Sequence, residues 1–102
     1  MTDSLIRDAI DIQINQERLR QDEKWGVQNH DPFTYLAILG EEVGESNQAA
    51  LEAHTWEVGQ KGNKWKSLEH YREELIQVAA VAKAMIECVD RNVNSDWELT
   101  IE

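Results

Sequence analysis

The segment Leu75 to Val89, "LIQVAAVAKAMIECV", constrains the fold more than any other part of the chain. Leu75, Val78, Ala79, Ala82, Met85, Ile86 and Val89 recur at helical spacing, while Ile76, Ala80, Val81, Ala84 and Cys88 fill much of the remaining circumference. A helix apolar nearly all round is a buried one. In 102 residues there is room for one domain. This helix, expected from Ser67 to about Arg91, must therefore be central, with the rest of the chain arranged to cover it.

Two further helices are available to do so. One starts near Ser4 and runs to about Glu23, with Leu5, Ile12 and Leu19 every seven residues and Ile6, Ile10 and Ile14 widening the stripe. The other has a sharper start, with Asp31 as N-cap and Pro32 in the first turn, where proline is tolerated. It should reach about His54, with Phe33, Leu36, Leu39, Val43 and Ala50 on its inner face. From Trp56 to Lys66, "WEVGQKGNKWK" has two glycines and no period, and reads as a loop. Nothing alternates like a strand. The expectation is a single all-α domain over residues 1–102, a small bundle of three main helices. Three helices cannot cover every side of the third, so a homodimer or homotetramer is expected to complete it.

Charge narrows the choice of partners. Acidic residues outnumber basic ones 20 to 10, for a formal charge of −10, so the basic footprint of a nucleic-acid binder is missing. An anionic ligand would need a metal ion or a local Lys/Arg cluster to offset this field. No apolar run approaches the ~18 residues of a membrane span, since the longest, Val78 to Ile86, is interrupted by Lys83. The start, "MTDSLIRDAIDIQ", lacks the apolar core of a secretory signal. The expected location is cytoplasmic, and the single Cys88 is expected to be an inert core thiol.

Within this acidic chain, "ILGEEVGES" concentrates Glu41, Glu42 and Glu45 in five residues of the second helix. Residues three or four apart are neighbours on a helix surface, so these like charges repel unless solvent or a cation relieves them. Steps of 100° put them opposite Leu36 and Val43, as a solvated face would be. The third helix offers another carboxylate, Glu74, at the flank of its apolar stripe, with Gln77 one turn on among Ala80, Ala84 and Cys88. Polar groups beside a buried face are costly unless partnered. Glu74 is either salt-bridged, for example to Arg72, or meets Glu42 and Glu45 across a helix pair. In the second case oxygen ligands converge as hard cations require.

"EEVGE" at Glu41 to Glu45 followed by "REELIQVA" at Arg72 to Ala79 resembles the MazG-type all-α nucleoside triphosphate pyrophosphohydrolases, whose pattern is E-E-x-x-E on one helix and E-x-x-D on a later one. "EKWGVQNHDPFTYL" ahead of the first motif is similar to small phage and prophage members. The resemblance implies helical dimers or tetramers that use Mg²⁺, or Mn²⁺, to hydrolyse an NTP or dNTP to the monophosphate and pyrophosphate. Carried over by position, it makes Glu42, Glu45 and Glu74 metal ligands and Glu41 the base or water-orienting residue. The aspartate of the second motif falls on Gln77, whose amide oxygen can ligate but brings no charge. That departure leaves a second reading open: a catalytically weakened or inactive helical protein that binds a nucleotide or a protein. Lys61, Lys64 and Lys66 in the glycine-broken loop are candidates for phosphate contacts, or a plain solvated loop. Trp25 is a candidate for stacking on the base, or an edge-of-core packing residue.

Overall fold

Three helices account for the architecture of the computed structural model, which describes residues 2–55 and 64–93. They are α1 (Asp3–Trp25), α2 (Pro32–His54) and α3 (Lys64–Asn92), and no strand occurs among the described residues. The all-α expectation is met. Thr2 caps α1, its side chain accepting from the Leu5 amide. Asp31 caps α2 as its sequence position demands, accepting from both the amide and the hydroxyl of Thr34. α3 begins at Lys64 instead of Ser67, so Lys64 and Lys66 lie on its first two turns and not in a loop. Lys61 falls outside the described residues, as does the side chain of Lys64.

α3 is the central element, and both α2 and α1 pack on it. The seam with α2 alternates steps of four and three. From α2 it takes Tyr35, Leu39, Glu42, Ser46, Ala49 and Ala53, and from α3 it takes Glu74, Gln77, Val81, Ala84 and Cys88, all buried or half-buried. Spacing of this kind is the 3-4 packing of long, nearly aligned helices. Apart from Tyr35, Leu39 and Val81 its apolar members are small.

Most of the face of α2 expected to be inner is outer, although Leu39 and Ala50 of that set are half-buried. Phe33 is 85% exposed, and Leu36, Val43 and Leu51 are also exposed. The sequence reading followed the large apolar side chains, whereas the helix turns its alanines and serine inward, and small side chains are what permit a close seam. On α1 the inversion is partial, since Ile10 and Ile14 of the expected stripe are half-buried. Leu5, Ile12 and Leu19 are exposed, while Glu17, Arg18 and Gln21 are buried. On α3 Leu75, Ile86 and Val89 also remain exposed, so in a single copy of the chain the helix is not covered on every side.

α1 is docked by polar groups. The Arg18 guanidinium donates to both Glu87 oxygens at 3.1 Å, to Asp22 at 3.0 Å and to the Gln21 amide oxygen at 2.9 Å. Gln21 donates onward to Gln77 at 3.5 Å, and Lys83 donates to Asn15. The turn between α1 and α2 starts at Gly26, whose φ of 74° and ψ of 172° lie in a region open essentially to glycine alone. It is held to α3 by Arg91, which donates to the Gln28 carbonyl and the Asn29 side chain.

Candidate functional site

Glu42 stands in the middle of the α2 seam, and Glu74 occupies the matching level of α3. One carboxylate oxygen from each of Glu42, Glu45 and Glu74 lies within 4.8 Å of the others. The sequence reading allowed this meeting only conditionally, because it placed the glutamates on an outward face. The structure puts Glu42 on the inner face, half-buried, with Glu45 one turn on at its exposed margin. Glu41 lies exposed beside them.

The electrostatics of the cluster are unfavourable in the bare protein. Glu42 Oε2 and Glu74 Oε2 are both buried and lack a hydrogen-bond partner. Burial, reinforced by Glu45, Glu74, Glu41 and Glu17, raises the Glu42 carboxyl above its ordinary value. Burial also raises Glu74, helped by its hydrogen bond and charge interaction with Glu45. On its own helix His70 lies one turn before it, with Nε2 3.9 Å from Glu74 Oε1. The sequence reading offered Arg72 or a lysine as partner of Glu74 and did not name His70. The spacing of His70 and Glu74, four residues apart on one helix, already carried that signal.

The three carboxylates are chemically fit to hold a hard divalent cation. Oxygens on opposite sides of a six-coordinate Mg²⁺ are separated by about 4.2 Å, twice its ligand distance of ~2.1 Å. The observed spread of up to 4.8 Å is within a small side-chain adjustment of that. A cation would also satisfy the two orphaned oxygens, each of which is costly to bury unpaired.

Gln77 lines the same cavity as Glu42 and is bonded toward α1. Its amide oxygen accepts from Gln21, and its hydrogen bond to Glu17 helps to lower the Glu17 carboxyl, after the larger effect of the hydrogen bond from Arg20. Glu17 and Gln21 are therefore site neighbours that sequence reasoning missed. Both sit on the polar side of α1, where no apolar period drew attention to them.

Because α1 and α2 rest on α3 without packing on each other, a cavity of about 100 Å³ is left between them. Gln21 and Trp25 of α1, Ile38 and Glu42 of α2 and Gln77 of α3 line it, with Val81 and Ala84 as its floor. Glu42 belongs to both the cavity and the carboxylate cluster, so the two are continuous. Trp25 is 54% exposed at the cavity mouth, and Lys24 Nζ lies 4.7 Å from the centre of its ring. One face of the indole is thus already covered by a cation. Lys66 is exposed at the start of α3.

No family model matches the chain, and no curated protein or solved structure is measurably similar to it.

Proposed function

We propose that the protein is a divalent-cation-dependent nucleoside triphosphate pyrophosphohydrolase of the MazG-like class, releasing pyrophosphate and a nucleoside monophosphate from an NTP or dNTP. The observation that carries this reading is the meeting of Glu42, Glu45 and Glu74 across the α2–α3 seam, two of them with buried, unpartnered oxygens. It joins the two motifs on which the family resemblance rests, from helices far apart in sequence.

In this reading Glu42, Glu45 and Glu74 hold Mg²⁺ or Mn²⁺. The ion, when bound, supplies charge neutralisation at phosphate oxygens. Glu41, exposed and adjacent, orients the attacking water and accepts its proton. Lys61, Lys64 and Lys66 are the candidate phosphate contacts. Trp25 offers its uncovered face to the base. The exposed apolar faces of α1 and α2 support assembly into a homodimer or homotetramer, which would cover Phe33, Leu36 and Leu51.

A second reading has its own observation. Gln77, where the resemblance expects an acid, is engaged with Gln21 and Glu17, which suits a chain that binds a nucleotide without turning it over. The deciding experiment is pyrophosphate release from a panel of canonical and modified NTPs and dNTPs, with and without Mg²⁺ or Mn²⁺. Metal-dependent release abolished by Glu45→Gln is the expected result. No release from any nucleotide, with the protein folded, overturns the enzymatic reading.

A further inference from the structure

We infer that the cavity between α1 and α2 is a subsite for a single six-membered heterocycle, so that the protein selects pyrimidine over purine nucleotides. The inference rests on the nucleotide-binding reading above and names the substrate class within it.

Size is the first argument. An apolar cavity of about 150 Å³ is filled by one benzene molecule, and this one measures about 100 Å³. With its open mouth it admits one ring, while the second ring of a purine would be left outside or would push the walls apart. The walls are not freely movable. Val81 and Ala84 are buried in the α3 seam, and on the α1 side Arg18 is fixed by Glu87 and Asp22.

Chemistry is the second argument. Gln21 is itself more than nine-tenths buried, and its amide keeps one donor hydrogen beyond the bond it gives Gln77. One oxygen of Asp22 holds Arg18, and its carboxylate has acceptor capacity to spare. A purely apolar ring would leave these groups desolvated and unmatched, whereas a ring with donors and acceptors on its edge satisfies them. Position is the third argument. Glu42 lines the cavity and also belongs to the carboxylate cluster, so a ring seated here directs its attached phosphates toward the acids.

The test is calorimetric binding of cytidine, uridine, adenosine and guanosine 5′-monophosphates to the full chain with saturating Mg²⁺, read beside pyrophosphate release from the four triphosphates. The expected result is that both pyrimidines bind about tenfold or more tightly than both purines, a discrimination within the range of shape-selective pockets. Ile38→Ala, which removes part of one wall, should narrow that gap by raising purine affinity. Ile38→Val makes a milder enlargement if the alanine variant does not fold. Equal binding of purines and pyrimidines, or no binding of any, overturns the inference. Triphosphate hydrolysis without base preference would leave the enzymatic reading standing and sink this one. Selective pyrimidine binding without hydrolysis would do the reverse.

Discussion

Glu42 and Glu74 face each other across the α2–α3 seam, each burying one carboxylate oxygen without a hydrogen-bond partner. A seam lined by alanine, serine and cysteine has been interrupted at one level by two acids that stabilise nothing in the bare protein. Neutralising either should therefore help the fold and harm the chemistry. Glu42→Gln is expected to raise the melting temperature in EDTA while lowering pyrophosphate release by about 100-fold or more, at or beyond the upper end of what losing a partner behind a metal ligand costs. Thermal melts with and without Mg²⁺ read both effects, and a melting temperature that falls in EDTA would contradict the electrostatic account.

The same relationship sets the response to pH. Glu42 and Glu74 have folded-state values raised above the ordinary 4.5, chiefly by burial. The folded state therefore binds more protons than the unfolded one between 4.5 and the raised values, and stability falls as pH rises through that window. Glu17 and Glu87 are lowered by Arg20 and Arg18 respectively. Their contribution is present above 4.5 and is lost as pH falls below it. Denaturant melts should thus show greatest stability near pH 4.5, and saturating Mg²⁺ should flatten the slope on the neutral side.

Arg18 is the anchor of α1. Its guanidinium reaches Glu87, Asp22 and Gln21 at once, so Arg18→Ala leaves a half-buried carboxylate and a buried amide short of a donor. The expected cost is about 2 kcal/mol, which for a domain of this size lowers the melting temperature by on the order of 10 °C. A loss within a degree or two would mean that the network is not a structural tie.

Glycines give opposite predictions at opposite places. Gly26, with φ of 74°, should lose about 1–3 kcal/mol on substitution by alanine and displace Trp25 next to it. Gly40 and Gly44 lie within α2 with nothing inside 4 Å of an added Cβ. Alanine there should stabilise the isolated chain by about 0.5–1 kcal/mol. If a second copy packs on that face, the same two changes would weaken assembly, which sedimentation across a concentration series would reveal.

Phe33, Leu36 and Leu51 share the outer face of α2 with those glycines. Replacing Phe33 and Leu51 by glutamate should leave the helical content intact and shift the sedimenting species to a monomer. An unchanged mass would place any assembly on another face, such as the Leu5–Ile12–Leu19 stripe of α1.

The helices themselves were legible because their signals are local. Asp31 and Pro32 mark the start of α2, and the glycine at 26 ends α1. The packing faces were only partly legible, since hydrophobic periodicity follows the largest apolar residues and this chain turns many of its smallest ones inward. Ala49, Ala53 and Ala84 weigh little in a periodicity, yet they let the helices approach. The cluster was legible as motifs on Glu41, Glu42, Glu45 and Glu74, but whether they meet depended on that same face assignment. The part played by Glu17 and Gln21 could not be seen, because their roles arise only when α1 is laid on α3.

The buried residues of α1 are Glu17, Arg18 and Gln21, and that choice has a mechanical meaning. Hydrogen bonds and charge pairs are directional and contribute little net free energy, so they fix where a helix sits better than they fix whether it stays. α1 is held in registry by these bonds, with Ile10 and Ile14 half-buried on the same helix. One wall of the cavity is thus set in place by directional bonds, and placement of the site and integrity of the fold draw on different parts of the chain.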